Sequence, residues 1–321
     1  MSGAPQLAVV VDTEEEFDWS GPFLRAAQGT ESVPAQSLAH EIFDRYGVVP
    51  TYVMDYPVAK DPKAVEFFAA LHTQGRAELG THLHPWVTPP HTEDVNAHNS
   101  YHCNLPPELE RAKLVSITDQ FKASFGFSPR IFKAGRYGFG ANTQAALIDL
   151  GYEIDCSFLP HVGYARGHGP DYYGAPTQPF WLDEERKLLE IPLTSGFIGV
   201  AAGFGTQLAP LFDCPIAQRI SLIGLLARTS MISRARLTPE GVSVAEQCRL
   251  LRTLVARGER IFTLTYHSPS LGIGHTPYVK SESDRAALLN NIDSILRYFR
   301  DELGGEFSTL TAIRSAHLPL F

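Results

Sequence analysis

The stretch Leu7-Ala8-Val9-Val10-Val11-Asp12 is a short apolar run, rich in β-branched residues, that ends in an acid. A run of this kind is typical of a strand that is buried on both faces, as the strands of parallel sheets are. Similar runs recur along the chain and predict further strands over residues 48–54, 76–82, 130–133, 152–156, 188–192 and 260–267. Residues 7–12 therefore indicate a sheet in the protein interior.

Segments with helical spacing of apolar residues lie between these strands. They predict helices over residues 34–46, 61–74, 106–125, 143–150, 215–227, 243–257 and 282–303. Two regions interrupt the alternation, a polar loop over 85–105 and an irregular region over 158–238. Because strands and helices alternate about seven times, the sequence predicts an α/β protein with a parallel sheet, either a barrel or a doubly wound sheet.

Composition narrows the class of protein. The 321 residues contain no repeat or low-complexity linker, so we expect one domain over residues 1–321, with inserted loops near 85–105 and 158–238. The net charge of −8 disfavours nucleic-acid binding, because nucleic-acid binders present a basic face. We also expect no membrane span, since no segment approaches the roughly 18–20 apolar residues that one requires.

The amino terminus and the cysteines bear on the cellular compartment. The first residues show no basic region followed by a long apolar segment, and the four cysteines form no CxxC pair. We therefore expect a cytoplasmic protein, with neither a disulfide framework nor a thiolate zinc site. The sequence does not define the oligomeric state.

Polar side chains collect directly after the predicted strands. Asp12 and Glu14 follow the first strand, His82 and His84 follow the third, and His267 ends the seventh. Active sites of parallel-sheet folds lie at the carboxyl ends of the strands, because the loops that follow converge there. We therefore expect these side chains to form one site.

The pair His82 and His84 is the strongest metal signal. Two histidines at a spacing of two can place both imidazoles on one face of an extended chain. With a carboxylate from Asp12 or Glu14 they would hold Zn²⁺ or a similar divalent ion and leave positions open for water. The alternative is two loop histidines with separate hydrogen bonds.

Other candidates carry weaker signals. Lys133 and Arg136 flank a glycine-containing turn, where a cationic pair could orient a carboxylate and backbone N–H groups could hold an oxyanion; the alternative is a basic turn that caps the next helix. His267 suits a general acid near neutral pH, although a histidine at a strand end can be purely structural. Glu15 and Glu16 are expected to belong to a solvated acidic loop.

With these segments in this order, the sequence resembles the polysaccharide deacetylases of the NodB-homology superfamily, carbohydrate esterase family 4. The resemblance extends from about residue 7 to residue 267. Within the superfamily, the sequence is similar to a divergent branch of surface-polysaccharide deacetylases. It implies a distorted, incomplete barrel of the (β/α)7 type with parallel strands, and a divalent metal, with zinc as the first choice. It further implies a metal-dependent hydrolase that removes an acetyl group from an N-acetylated sugar of a polysaccharide or its precursor.

The first two family motifs assign the metal site by resemblance. Val10-Val11-Asp12-Thr13-Glu14 occupies the TFDDG-like slot, which makes Asp12 the base and Glu14 the metal-binding carboxylate. Glu78-Leu79-Gly80-Thr81-His82 matches the start of the HxxxH motif, but Trp86 occupies the position of the second histidine. His84 is the nearest substitute. The histidines that could reach the site instead are His91, His98 and His102.

The remaining motifs assign further roles by resemblance. Lys133 stands where the family usually has an arginine that orients the base, and Arg136 is the second candidate for that task. Asp155, in Asp155-Cys156-Ser157, resembles the motif that lines the acetyl pocket. His267, in Leu264-Thr265-Tyr266-His267, resembles the general acid.

Three residues complete the expected substrate site. The Tyr137 backbone N–H is expected to hold the oxyanion, and Trp86 and Tyr101 are expected to stack on sugar faces. Two other functions remain open. One is a catalytically silent barrel that binds glycan, which the missing HxxxH motivates. The other is a metal-dependent hydrolase of a non-sugar amide.

Overall fold

The computed structural model describes residues 3–318 of the chain. Its strands are β1 (Gln6–Thr13), β2 (Thr51–Met54), β3 (Glu78–Leu83), β4 (Ile131–Ala134), β5 (Ile154–Asp155), β6 (Phe180–Trp181), β7 (Leu189–Glu190), β8 (Ser195–Ile198), β9 (Ser233–Arg236), β10 (Ile261–His267) and β11 (Glu306–Phe307). Its helices are α1 (Gln36–Tyr46), α2 (Tyr56–Lys60), α3 (Pro62–Thr73), α4 (Pro107–Phe125), α5 (Ala141–Leu150), α6 (Gly205–Phe212), α7 (Pro215–Arg219), α8 (Leu222–Arg228), α9 (Val244–Ala256), α10 (Glu282–Asp301) and α11 (Leu310–His317).

The main sheet has nine strands in the order β10-β1-β2-β3-β4-β5-β7-β6, with β11 beside the amino-terminal end of β1. Neighbouring strands run parallel, apart from the antiparallel pair β6 and β7. The sheet curls into a half-barrel. Within residues 3–318 its two edge strands, β10 and β6, do not pair with each other. The predicted α/β fold, an incomplete barrel of parallel strands, is confirmed.

Side chains bridge the gap between the two edges of the sheet. Gln178, just before β6, accepts hydrogen bonds from the backbone N–H groups of Arg260 and Ile261 at 2.9 Å and donates one to the Ile261 carbonyl at 3.0 Å. Thr194, after β7, accepts a hydrogen bond from the N–H of Thr263 at 2.8 Å. These bonds satisfy backbone groups of β10 that a neighbouring strand would otherwise satisfy.

The alternation of side chains along β1 sorts them between two cores. Leu7, Val9 and Val11 pack with the surrounding helices, whereas Ala8 and Val10 face the barrel interior. The helix α11 also packs against the barrel interior, since its Leu310 and Ile313 belong to the same inner core as Ala8 and Val10. Because successive strand residues point to opposite faces, Asp12 continues the inner series of β1.

The same alternation acts on the other strands that carry site residues. On β4, Phe132 packs outward with the helices and Ile131 packs inward, so Lys133 faces inward as well. On β3 and β10, the outward residues that belong to the outer core are Leu79, Leu83, Phe262, Leu264 and Tyr266. Their inward positions at the carboxyl ends are His82 and His267. A period of two in each strand therefore aims four polar side chains at one interior space.

Several elements differ from the sequence predictions. The predicted helix over 215–227 is wrong, because α7 and α8 are separated at Ser221, which has the left-handed φ of 56°. Within the region 158–238, the predicted strand over 188–192 is present as β7, whereas β6, the antiparallel hairpin β8–β9 and α6 were not predicted. The short helices α2 and α11 were not predicted. No helix within residues 3–318 is both long and apolar enough to cross a membrane.

Candidate active site

A cavity of about 490 Å³ opens at the carboxyl ends of the parallel strands. Asp12, His82, Lys133 and His267 line it, each delivered by the inward face of a different strand. Glu14 and His84, which follow β1 and β3, line it too. The structure thus brings together residues that are far apart in the sequence, as the strand-end argument predicted.

Glu14, His82 and His84 form a compact group of possible metal ligands. Oε2 of Glu14 lies 3.6 Å from Nε2 of His82 and 3.6 Å from Nε2 of His84, and the two Nε2 atoms are 3.2 Å apart. Ligand atoms about 2.0–2.2 Å from a tetrahedral zinc ion are roughly 3.3–3.6 Å apart. Oε1 of Glu14 is buried and has no hydrogen-bond partner among the described residues. The separations and the donor types fit a divalent metal.

Hydrogen bonds behind His84 set its orientation. Oε2 of Glu15 lies 2.7 Å from Nδ1 of His84, and Oε1 of Glu15 accepts a hydrogen bond from Nε1 of Trp86 at 2.6 Å. A carboxylate that accepts the Nδ1 proton leaves the lone pair of Nε2 free, directed toward Glu14 and His82. The arrangement of Glu15 and His84 is therefore that of a metal ligand with its supporting carboxylate.

The protonation states of the donors follow from burial. Burial, together with His84 and Lys133, holds the pKa of His82 well below its ordinary value. Burial also lowers the pKa of His84, although Glu14 opposes this shift. Burial raises the pKa of Glu14 to about 7, an effect that His267 and His84 reduce. The imidazoles are therefore neutral at neutral pH, as metal ligands must be.

Two predictions about this segment are wrong. Glu15, expected in a solvated loop, is fully buried. Trp86, expected to stack on a sugar, is 1% exposed and stacks on the His84 ring at a centroid distance of 4.2 Å. Its indole N–H is occupied by Glu15. Trp86 therefore supports His84 from behind and does not line the cavity.

Lys133 forms a buried ion pair with Asp12. It thus holds the position in space that the family resemblance gives to the orienting cation. Arg136, the second candidate, does not contact Asp12. Its guanidinium donates a hydrogen bond to Oγ of Ser100 and lies over the Tyr101 ring at 4.2 Å. Arg136 still lines the cavity.

The turn after β4 is conformationally strained. Arg136 and Tyr137 have φ values of 54° and 61°, in the left-handed region that residues with side chains avoid. A Cβ atom on Gly135 would lie 2.3 Å from Cδ2 of His84, so only glycine allows His84 its position. Tyr137 lines the cavity, while its carbonyl accepts a hydrogen bond from the Tyr172 hydroxyl at 2.6 Å. Its expected oxyanion role stays a prediction.

His267 is held between two carboxylates. Its Nδ1 lies 2.8 Å from Oε2 of Glu240, and its Nε2 lies 3.6 Å from Oδ2 of Asp12. Burial alone would lower the pKa of His267, but the charges of Glu240, Glu14 and Asp12 outweigh it and raise the pKa well above its ordinary value. His267 is therefore protonated at neutral pH and can donate a proton.

Other predicted residues lie elsewhere. Asp155 is buried, accepts a hydrogen bond from Oγ of Ser157 at 2.6 Å and does not line the cavity, so the expected contact with substrate is wrong. Tyr101 lines the cavity beneath Arg136. His102 is buried with Nδ1 3.0 Å from Oε1 of Glu110, and neither it nor the exposed His91 and His98 joins the donor group.

The sequence argument missed several residues of the cavity. Glu240 lies outside every predicted element, and no local pattern distinguishes it. Trp19 packs edge-on against His267 at 4.8 Å, and it follows the acidic segment by only a few residues. An aromatic residue so close to Asp12 and Glu14 in the sequence was a usable signal. Arg236 and Tyr164 come from the region 158–238, whose structure the sequence did not predict.

Comparisons with known proteins place the fold. Neither a family model nor a curated relative matches the chain. Among solved structures, Puue allantoinase has a TM-score of 0.57 at 14% identity, with 98% of this chain and 92% of that chain covered. A protein of Pseudomonas aeruginosa PAO1 assigned as a polysaccharide deacetylase has a TM-score of 0.55 at 14% identity, with coverage of 97% and 89%. One of Mycobacterium smegmatis, assigned likewise, has 0.54 at 14%, with coverage of 98% and 91%.

The chain has the polysaccharide-deacetylase fold. The resemblance seen in the sequence is thus confirmed for the fold. Identities of this size do not carry over a substrate or a catalytic residue. The same architecture also occurs in a protein named as an allantoinase, so the chemistry has to be argued from the site itself.

Proposed function

We propose that the protein is a metal-dependent hydrolase that removes the acetyl group from an N-acetylated sugar. The observation that carries the proposal is the convergence of three groups in one cavity. These are the donors Glu14, His82 and His84, the ion pair of Asp12 with Lys133, and the His267–Glu240 pair. Together they offer a metal site, a base and a protonated acid. The cavity has a volume typical of small-molecule sites.

Glu14, His82 and His84 would hold the divalent ion, with zinc as the first choice because the donor set contains two imidazoles and one carboxylate. When bound there, the ion supplies Lewis-acid polarisation of the amide carbonyl and acidifies water. Glu15 keeps Nε2 of His84 available for this task.

Asp12 is the proposed general base. Its Oδ2 is held by Lys133, and its Oδ1 is buried without a hydrogen-bond partner among the described residues. The ammonium group of Lys133 fixes the orientation of the carboxylate, while the free Oδ1 can accept the proton of the attacking water.

His267 is the proposed general acid. It carries a proton at neutral pH because Glu240 faces Nδ1, and its Nε2 side faces Asp12 and the cavity. Nε2–H can therefore donate a proton to the amide nitrogen as the carbon–nitrogen bond breaks, which releases a free amine and acetate. The Tyr137 backbone N–H stays our candidate donor to the oxyanion.

Two alternative functions were considered, a hydrolase of a non-sugar amide and a catalytically silent barrel that binds glycan. The fold likeness to Puue allantoinase favours a non-sugar amide as the second candidate, because the same donor and acid–base groups suit any carbon–nitrogen bond of that type. The silent glycan-binding barrel was motivated by the missing HxxxH. The position of Nε2 of His84 beside His82 and Glu14 supports a complete donor set and weakens that motivation.

The test is hydrolysis by zinc-loaded protein, with acetate and free amine measured separately. The panel contains N-acetylated oligosaccharides, their N-propionyl analogues and allantoin. Release of equimolar acetate and amine from the acetylated sugars, lost in Asp12→Asn and reduced at least about 100-fold in His267→Ala, supports the proposal. Hydrolysis of allantoin alone would move the activity to the second candidate. Binding of sugars without release of any acetate would favour the silent barrel.

A further inference from the structure

Arg236 is a cation of the cavity wall that lacks a counterion. It is the last residue of β9, lines the cavity and is only partly exposed. Among residues 3–318, no carboxylate lies within ion-pair distance of the Arg236 guanidinium, and no group accepts a hydrogen bond from it. By contrast Arg234, two residues earlier on the same strand, is paired with both carboxylate oxygens of Asp213 at 2.6 and 2.8 Å.

The carboxylates of the cavity are used elsewhere. Asp12 is paired with Lys133, Glu240 with His267, and Glu14 belongs to the metal-donor group. Glu246 also lines the cavity but forms no ion pair with any arginine of the described chain. Arg236 therefore has no ion-pair partner among residues 3–318, and Asp213, whose charge acts on it, is already paired with Arg234.

The surroundings of Arg236 are phenolic. Three tyrosines, Tyr137, Tyr164 and Tyr278, line the cavity together with it. The hydroxyl of Tyr164 is buried and has no hydrogen-bond partner in the described part of the chain. Arg136, whose ring neighbours are Tyr101 and Phe23, is a second cavity arginine without a carboxylate partner.

A partly buried guanidinium without a counterion costs free energy, and so does a buried hydroxyl without a hydrogen-bond partner. Both costs are removed when a ligand supplies an anion. The planar fork of an arginine matches the paired oxygens of a carboxylate or a phosphate, and a phenolic O–H donates to the same oxygens. Two side chains of this cavity that lack partners in the described part of the chain therefore call for the same kind of ligand.

We propose that Arg236, assisted by Arg136 and the Tyr164 hydroxyl, binds an anionic substituent of the substrate, so that the substrate is an acidic saccharide bearing a carboxylate or a phosphate ester. The identity of the reacting group rests on the proposed function. The anion site itself does not, since its ligand affinity is measured without turnover. The cations lie on the β8–β9 hairpin and the turn after β4, so the anion lies on a part of the substrate distinct from the group at Glu14 and His82.

The test is calorimetric binding to protein freed of metal with a chelator, which prevents phosphate from binding a metal ion directly. The three probes are N-acetylglucosamine, its 6-phosphate and its 6-carboxylate analogue. We expect one or both acidic sugars to bind about 10- to 100-fold more tightly than the neutral sugar. The acidic sugar with the higher affinity identifies the preferred anion. Arg236→Met should abolish this preference and leave the neutral sugar unchanged.

Arg219→Met serves as the matched control, because it removes the same charge from an exposed position of α7 outside the cavity. It should keep the full preference. If Arg236→Met does not fold, Arg236→Lys keeps the charge without the fork and should retain only part of the preference. Equal affinity for all three sugars, absence of binding by both acidic sugars, or an equal loss in Arg219→Met overturns the proposal. A clear preference without any acetate release contradicts the hydrolase alone.

Discussion

Lys133 on β4 pairs with Asp12 on β1, although β2 and β3 lie between these strands in the sheet. Strands are spaced about 4.8 Å apart, so in a flat sheet the two backbones would be roughly 14 Å apart, too far for these side chains to meet. The curl of the half-barrel brings the inward faces of β1 and β4 together. The ion pair therefore shows that the curvature of the sheet brings the site residues together.

Replacement of Lys133 by methionine tests this relationship. The buried carboxylate of Asp12 then loses both its counterion and the contact that fixes its orientation toward the attacking water. We expect kcat to fall at least about 100-fold in Lys133→Met. Lys133→Arg keeps the charge and should retain most of the affinity for metal. Wild-type kcat in Lys133→Met, measured by acetate release, would remove the ion pair from the mechanism.

Glu240 sets the pH range over which His267 stays protonated. Activity is lost as pH rises through the pKa of His267, since the neutral imidazole cannot donate a proton. Glu240→Gln removes the charge that contributes most to raising this pKa, so the alkaline limb of the kcat/KM profile should move to lower pH. Glu246→Gln removes another cavity carboxylate and should leave the limb in place. An unshifted limb in Glu240→Gln would exclude His267 as the titrating acid.

Glu15 orients His84 without contacting the cavity. Glu15→Gln replaces the acceptor of the Nδ1 proton, so the lone pair of Nε2 is no longer fixed, and we expect metal affinity to fall about 10- to 100-fold. Glu16→Gln is the matched control, because Glu16 is the next carboxylate along the chain and bonds to the Ser32 N–H. Equilibrium zinc competition gives both affinities. Equal affinities in the two variants would show that Glu15 has no such role.

The raised pKa of Glu14 predicts a conflict between stability and metal binding. Its pKa is about 7 in the metal-free fold against an ordinary value of 4.5, so ionisation of Glu14 destabilises the fold as pH rises above about 4.5, fully so above about 7. Glu14→Gln should therefore stabilise the metal-free protein at pH 8 by up to about 3 kcal/mol and have little effect at pH 4. Denaturant unfolding at both pH values checks this. Destabilisation at pH 8 would show that Glu14 has another partner.

The inward-facing residues could be predicted because they depend on local patterns. A buried strand that ends in an acid or a histidine fixes the position of its last side chain, so Asp12, His82 and His267 were placed correctly. Glu15 and Trp86 could not be predicted. Their burial depends on the packing of the loop after β1 against the turn after β3, which no periodicity encodes.

The cavity residues on and after the β8–β9 hairpin could not be predicted for a different reason. Glu240 and Arg236 reach the cavity only because β8–β9 and the segment after β9 fill the gap between the sheet edges, where the Thr265 N–H donates to the Leu237 carbonyl at 3.2 Å. No sequence pattern in either segment indicates that the two segments will make this contact. The choice between Lys133 and Arg136 was equally a matter of tertiary geometry, since both flank the same turn.

Metal content tests the central claim most directly. The protein is loaded with zinc, freed of excess ion and analysed for metal, alongside His84→Ala and His98→Ala. We expect about one equivalent in the wild type, the same in His98→Ala, whose ring is exposed and away from the donors, and a loss in His84→Ala. A wild-type protein that stays metal-free after loading, or a His84→Ala variant that keeps its full equivalent, would contradict the proposed site.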